Sequence, residues 1–253
     1  AGDAAAWYSY TDSELTTDAA VAGATAAVAA LAHRGRSGAP YQQAIGAATR
    51  GRERAAALVE HDPIAACGGL EECTTELAAV RERIEAVEAH DARRCLALDH
   101  ATQIAAGVAG RRAEGWLLAE PGANPDDRIA TARHECDLAA QLLDAGDVVA
   151  AATSIERAEQ ACGSAAALVE SIVAARARVT ELLPSTAARL DALASGRAAA
   201  AAAVAHLERS YASGSWQDVA DNVARIDEGL DRARTLLLEA RTAAEPDRQH
   251  FFR

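Results

Sequence analysis

Apolar and small residues recur along most of this chain at alternating steps of three and four. The clearest run follows the turn at Asp144–Asp147 and comprises Ala151, Ile155, Ala158, Cys162, Ala165, Val169, Ile172, Val179 and Leu183. A spacing that averages 3.5 residues is typical of a helix packed along its length against other helices. At ~1.5 Å per residue this helix would span roughly 50 Å before Pro184 ends it.

The same spacing predicts helices in the rest of the chain. We expect a first helix from Thr11 or Ser13 to about His33 and a second from Pro40 to about Glu60. The others are expected from Leu70, after Gly68-Gly69, to the glycines at 107–115; from Asn124 or Asp126 to Gly146; from Gly146 to Pro184; from Ser185 to Gly214; and from Trp216 to Ala240. The fold class is therefore all-α: an elongated antiparallel bundle of about seven helices, built of coiled-coil or spectrin-like hairpins.

The chain also shows a division and an internal repeat. The segment Glu120–Pro125 is rich in proline and glycine, which predicts three helices in an N-terminal bundle, 1–120, and four in a C-terminal bundle, 121–253. Within the second part, Gly146 with the bulky Val148 corresponds to Gly214 with Trp216 at an offset of 68 residues. Such repeats are typical of stacked helical hairpins.

The amino-acid composition restricts how the helices can pack and which classes of partner the chain can bind. Half the residues are hydrophobic but many are alanine, which suits closely approaching helices. The net charge of −12 disfavours nucleic-acid binding, because phosphates would be repelled. Five cysteines at irregular spacing indicate small buried residues in a reducing compartment. We expect neither a membrane-spanning run nor a signal peptide, and we expect a cytoplasmic protein.

Four residues stand out as candidate interaction sites. Asp91 and Arg94 place a polar pair in the apolar seam of the third helix, where they set a register or mark a bend. Tyr211 and Trp216 flank the last turn, and Trp216 is either a recognition residue or a wedge that fixes the hairpin angle. Solvent exposure of Asp91 and Arg94 would discriminate between a surface pair and a buried ionisable cluster.

No spacing predicts catalysis. Inward-facing Glu-x-x-His pairs of the di-iron bundles are missing, as is a phosphate-binding glycine loop. The densest ligand-type cluster is His134–Asp137, which is better interpreted as a solvated pair beside a core cysteine, and Cys67 and Cys73 across Gly68-Gly69 are an equally weak metal or redox pair. We therefore predict no catalytic residue, no cofactor and no metal.

Two runs carry a resemblance to known families. The segments LLDAGDVVAAATSIERAEQA (142–161) and LDALASGRAAAAAAVAHLE (190–208) resemble the helical C-terminal regions of actinobacterial TPM-domain proteins and the spectrin-like repeats of bacterial septation-ring regulators. The resemblance covers roughly residues 126–243 and, more loosely, 12–118. It implies a non-catalytic helical region of a larger bacterial protein that is attached to the membrane by a part outside this chain, at the inner face of the cell envelope.

The function expected from these features is that of a structural or protein-interaction scaffold within a bacterial assembly. It binds one or more protein partners and is compatible with self-association into a homo-oligomer. Two alternatives stay open. One is a helical bundle that binds a small apolar ligand or a metal between its helices, favoured if Ala198–Ala203 leave a void. The other is a type VII secretion-related helical protein, because Gly214-Ser215-Trp216 resembles the Trp-x-Gly turn of such hairpins, with the glycine here preceding the tryptophan.

Overall fold

Six α-helices and one short 3₁₀ turn make up nearly all of the computed structural model, which describes residues 2–118, 124–246 and 248–249. The helices are α1 (Gly2–His33), α2 (Ala39–Leu58), α3 (Pro63–Ala113), α4 (Pro125–Ala145), α5 (Val148–Ser210) and α6 (Asn222–Ala243), with the 3₁₀ turn at Ser213–Ser215. These ranges contain no β-strand. The all-α prediction is confirmed, with six helices where about seven were expected.

The chain divides into two compact units. Unit 1 comprises Ala1–Ile104 and Asp127–Gly163, and unit 2 comprises Ala105–Asp126 and Ser164–Arg253. These units differ from the predicted domains 1–120 and 121–253, because α3 and α5 each contribute residues to both units. Of the predicted boundary segment, residues 119–123 lie outside the described residues.

The core of unit 1 follows the predicted seams. The buried residues of α4 include Ile129, Ala132, Cys136, Ala139 and Leu143. Those of the first part of α5 include Ala151, Ile155, Ala158, Cys162 and, continuing into unit 2, Ala165, Val169 and Ile172. Each was predicted from its spacing. Alternating steps of three and four keep one narrow face of each helix turned towards its neighbours.

Small residues bring α1, α2 and α3 close together. The buried residues of α1 include Tyr10, Thr17, Ala24 and Leu31, and those of α2 are Tyr41, Ala48 and Ala55, each set at intervals of seven. A Cβ atom added to Gly51 of α2 would lie 2.5 Å from the Cys73 Sγ atom of α3, which leaves no room for a larger side chain. Thr17 is satisfied in this layer, because its hydroxyl donates to the Ser13 carbonyl at 2.8 Å.

Two helices start earlier than predicted. α1 already includes residues 2–10, and the Thr11 hydroxyl donates to the Trp7 carbonyl at 3.0 Å, which is a bond within the helix rather than a cap. α3 begins at Pro63, because the Asp62 carboxylate accepts a hydrogen bond from the Ala65 backbone N–H at 3.0 Å. Gly68-Gly69 therefore lies inside α3 and does not separate helices.

Pro184 does not end the fifth helix as predicted. α5 continues through it from Val148 to Ser210, which merges the predicted fifth and sixth helices. Proline removes one backbone donor, the bond that residue 184 would give to the Thr180 carbonyl, while helix-forming residues continue on both sides. The Ser185 hydroxyl donates to the Leu182 carbonyl at 3.0 Å and so bonds within the helix instead of capping a new one.

The two halves of the internal repeat differ in local structure. Gly146 has a φ of +81°, and the Asp147 carboxylate caps α5 by accepting from the Ala150 N–H at 3.0 Å. At the equivalent position Ser215 belongs to the 3₁₀ turn, and α6 begins only at Asn222. The prediction that the last helix starts at Trp216 is therefore wrong, since no equivalent of the Asp147 cap stands there.

One described segment, Trp7–His33 in α1, is long and apolar enough to cross a membrane by length and composition. The prediction of no such run overlooked it, because alanine and valine raise its hydropathy without large side chains. The same helix packs Val28 and Leu31 in a cluster with Val80 and Ile84 of α3. α1 therefore has the length and composition of a membrane-spanning helix, and one of its faces packs against another helix of unit 1.

We predict that Gly146→Ala lowers the free energy of unfolding more than Gly35→Ala. Both glycines end a helix with a positive φ, +81° and +74°. Alanine strains either backbone by about 1 kcal/mol. Only at Gly146 would the new Cβ also press on Pro40, 3.1 Å away, whereas nothing lies within 4 Å at Gly35. We expect losses of about 2 and about 1 kcal/mol in urea unfolding. Equal losses would show that the contact with Pro40 adds nothing.

Candidate functional site

A cluster of charged side chains, the polar layer, joins three parts of unit 1. Its centre is the Asp91 carboxylate of α3, whose Oδ1 accepts hydrogen bonds from Arg94 Nε and Arg36 Nη2, each at 2.7 Å. Arg36 comes from the connection between α1 and α2. The Asp91, Arg94 and Arg36 side chains are 18%, 14% and 10% exposed, so the pair predicted from the sequence is largely buried.

Asp144 of α4 completes the polar layer. Arg36 Nη1 lies 3.4 Å from Asp144 Oδ2 and donates to the Ala140 carbonyl at 3.2 Å. The Ser37 backbone N–H donates to Asp144 Oδ1 at 3.1 Å. The layer therefore ties α3 and α4 to the α1–α2 connection. Arg36 and Asp144 were missed from the sequence, because 55 residues separate Arg36 from Asp91 and 108 separate it from Asp144.

The carboxylates and guanidinium groups of the polar layer stabilise each other's charged forms. Burial alone would raise the pKa of Asp91, but hydrogen bonds and charge from Arg36 and Arg94 outweigh it and lower the pKa below its ordinary value. Burial acts against the charged form of Arg36, yet its bonds to Asp91 and Asp144 raise its pKa overall. Two arginines thus face two carboxylates, and the formal charges within the polar layer balance.

The buried cysteines of unit 1 are thiols. Cys136 and Cys162 are fully buried, and their Sγ atoms lie 3.8 Å from the Arg94 carbonyl and 3.5 Å from the Ala97 carbonyl. Burial, with the neighbouring Cys162, raises the pKa of Cys136 to about 11. All five cysteines are free. In the part of the chain that the structure describes, no three metal-ligating side chains cluster together.

Burial ends abruptly along α5. Its residues are buried at regular intervals as far as Ile172, but no residue from Val173 to Ser210 is buried. In α6 only Leu230 is buried. The predicted seam is still visible here, since Val223, Ile226, Ala233 and Leu237 are half-buried, whereas Ala240 is exposed. One buried residue in this part of unit 2 means that the apolar faces of α5 and α6 are only partly covered.

An apolar concavity, the α5–α6 groove, lies between these two helices. Its volume is about 470 Å³, and it is lined by Leu190, Ala192, Leu193, Gly196 and Arg197 of α5 and by Ile226, Gly229, Leu230 and Ala233 of α6. Leu193 is 57% exposed. Arg197 also forms an ion pair with Asp227 of α6, with N–O distances of 2.5 and 2.6 Å. This solvent-exposed pair connects α5 and α6 beside the groove.

The predicted aromatic sites lie in the connection that follows α5. Tyr211 directly follows α5 and is 57% exposed. Trp216 is half-buried in the turns before α6, and its indole nitrogen is buried without a hydrogen-bond partner. Neither residue lines the α5–α6 groove. The run Ala198–Ala203 does not line it either; four of these alanines are exposed and the other two half-buried.

A second concavity of about 490 Å³ in unit 2 is lined in part by Arg176, Thr180 and Pro184 of α5. The Arg176 guanidinium stacks over the Trp116 ring at 4.0 Å. Gln249 also lines it, and its amide oxygen accepts a hydrogen bond from the Leu117 N–H at 3.0 Å. Its amide nitrogen donates to the Pro246 carbonyl at 2.8 Å. These bonds hold the segment after α6 against the segment after α3.

Comparisons with protein-family models, curated proteins and solved structures found no match to this chain.

We predict that Asp91→Asn destabilises the fold by about 3 kcal/mol, because Arg36 and Arg94 lose their shared carboxylate inside the protein. The matched control is Asp231→Asn. Asp231 also pairs with an arginine three residues on, but the two side chains are 77% and 57% exposed, so we expect less than about 0.5 kcal/mol. Urea unfolding at pH 7 measures both, and similar losses would contradict a stabilising role for the buried layer.

The polar layer also predicts that the free energy of unfolding falls at acid pH. The pKa of Asp91 is lowered in the folded protein, so its stabilisation is complete above the unfolded pKa of about 3.9 and is lost as the pH falls through the folded value. Between pH 6 and 3, wild type should lose more unfolding free energy than Asp91→Asn. Parallel pH profiles would contradict the lowered pKa.

We predict that the cysteines differ in their rates of alkylation. Iodoacetamide at pH 8 should modify the exposed Cys95 first and leave Cys136 and Cys162 unmodified until the chain unfolds, because burial both shields them and disfavours the thiolate. Peptide mass spectrometry over time, with and without urea, measures the order. Early modification of Cys136 in the native protein would contradict its burial.

Proposed function

We propose that this chain is a non-catalytic helical scaffold that binds protein partners through the α5–α6 groove. In this proposal α5 and α6 form an antiparallel, spectrin-like hairpin whose exposed apolar face is completed by another protein. The chain acts as a region or subunit of a larger bacterial assembly, as the resemblance to helical regions of TPM-domain proteins and septation-ring regulators implies.

The observation that carries this proposal is the contrast between the two parts of α5. As far as Ile172 its apolar face is buried, while beyond it the face continues with comparable residues that are only partly covered. Leu193 and Leu182 of α5, which lie eleven residues apart and so on the same helix face, are more than half exposed. A contiguous apolar surface on a protein typically marks a site of protein association. Helices complete such faces by packing with further helices.

The polar residues support a structural role. Asp91 and Arg94 are paired with each other, and Asp91 also with Arg36, within unit 1, which supports a structural role for these ionisable groups. The acidic net charge opposes binding to nucleic acid. Of the predicted interaction residues, Tyr211 and Trp216 are placed beside the hairpin turn, where the exposed Tyr211 can extend a protein contact.

A second candidate function is the binding of a small apolar ligand in the α5–α6 groove. Its volume of about 470 Å³ and its leucine, isoleucine and alanine lining support this alternative. Such a ligand would appear as a discrete added mass in native mass spectrometry of the chain purified from its own cells. Gly196→Leu would remove that mass by filling the groove.

A photo-crosslinking experiment tests the proposed function. A benzophenone amino acid replaces Leu193 in the groove or, as a matched control, Leu96 of α3, a leucine that is 69% exposed outside it. After irradiation in the native cell, we expect discrete protein adducts from position 193 and at least about tenfold less adduct from position 96. Adducts of equal yield from both positions, or none from position 193, would contradict a protein-binding groove.

A further inference from the structure

We propose that the occupant of the α5–α6 groove is a second copy of this chain, which packs its own α5–α6 groove against the first. This inference rests on the proposed function, since it names the partner for the same surface. The two hairpins together would form a four-helix arrangement about a twofold axis, in which the same surface serves both copies.

Two glycines in the groove leave room for another helix to pack closely against it. Gly196 of α5 and Gly229 of α6 both lie inside helices, where glycine is less favourable than alanine. A Cβ added to either would meet nothing within 4 Å, so packing within the chain does not require glycine at either position. Both line the groove, where the missing side chains leave holes for the apolar side chains of another helix.

The charge distribution favours a second copy over a strongly charged partner. From Arg176 to Arg241 the sequence contains nine arginines and nine acidic residues, so the hairpin segment is neutral. The whole net charge of −12 therefore comes from the rest of the chain. Two copies can join at this neutral segment without the like-charge repulsion that their acidic parts would produce. A basic or an acidic partner would find no complementary excess of charge here.

The available area fits a dimer. α6 has 22 residues, and at ~1.5 Å per residue it is roughly 33 Å long. Two adjacent helices about 10 Å wide present a face of roughly 660 Å² over that length, so a pair of copies would bury about 1,300 Å². This lies at the lower end of the areas found in specific protein interfaces. We therefore expect a reversible dimer with a dissociation constant of about 1–100 µM.

Sedimentation velocity of the purified full chain tests this inference. Between about 1 and 200 µM we expect the average mass to rise with concentration, from near that of the 26.2 kDa monomer towards twice that value. Leu193→Asp places a carboxylate in the proposed interface and should raise the dissociation constant about tenfold or more. Leu96→Asp, on α3, should leave the constant unchanged, and circular dichroism checks that both variants keep their helix content.

Glycine variants separate the interface from simple helix stability. Gly196→Ala and Gly229→Ala should raise the melting temperature, because alanine favours the helix, yet weaken the dimer by filling the holes. The matched control is Gly163→Ala in α5, another exposed glycine with nothing within 4 Å, which should raise the melting temperature without weakening the dimer. If the groove glycines are replaced and the dimer persists unchanged, this surface does not join the copies.

The possible outcomes distinguish a failure of the second-copy inference from a failure of the proposed protein-binding function. A chain that stays monomeric at about 200 µM, while position 193 crosslinks to a different protein, overturns the second copy and leaves the protein-binding groove standing. A monomeric chain without crosslinks overturns both. A dimer that Leu193→Asp leaves intact overturns this surface as the interface. A dimer lost in Leu193→Asp and kept in Leu96→Asp, with crosslinked peptides from two copies, supports the inference.

Discussion

The structure depends on how many helices cover each narrow apolar stripe. Alanine stripes contribute little area per residue, so they are stabilised only where several helices approach closely and exclude water together. In unit 1, α1 to α5 supply such neighbours, and residues such as Ala24, Ala132 and Ala158 are completely buried. Beyond Ile172 the same kind of stripe continues on α5, but only Leu230 of α6 becomes buried. The protein-binding proposal follows from this difference in cover.

The polar layer shows a second consequence of close packing. A carboxylate in an apolar seam is costly unless it is paired, and Asp91 is paired with two arginines at 2.7 Å. Arg36 reaches this position because Gly35 turns the chain at the end of α1 with a φ of +74°. A glycine turn, a buried carboxylate and the end of α4 at Asp144 are thus linked by one guanidinium group.

Local spacing predicts the fold well where helix faces are buried. The seams of α4 and of α5 up to Ile172, the Gly146 turn and the adjacency of Asp91 and Arg94 all follow from intervals of three, four or seven residues. The sequence could not show which partners complete the polar layer, because Arg36 and Asp144 are distant in the chain. Local signals also failed at Pro184 and Gly68-Gly69, where helix-forming neighbours outweigh a residue that usually ends a helix. The α5–α6 groove exists because no further helix among the described residues packs over this face, and the spacing of apolar residues does not show whether a face is covered.

We propose that the apolar face of α5 and α6 beyond Ile172 is stabilised when another protein covers it. Hydrogen exchange measured by mass spectrometry tests this proposal by comparing the free chain at low concentration with the chain in its assembled state. We predict rapid exchange in Val173–Ser210 and α6 of the free chain, slow exchange in α4, and selective protection of the first two segments on assembly. Equally slow exchange in all three segments of the free chain, unchanged on assembly, would contradict this proposal.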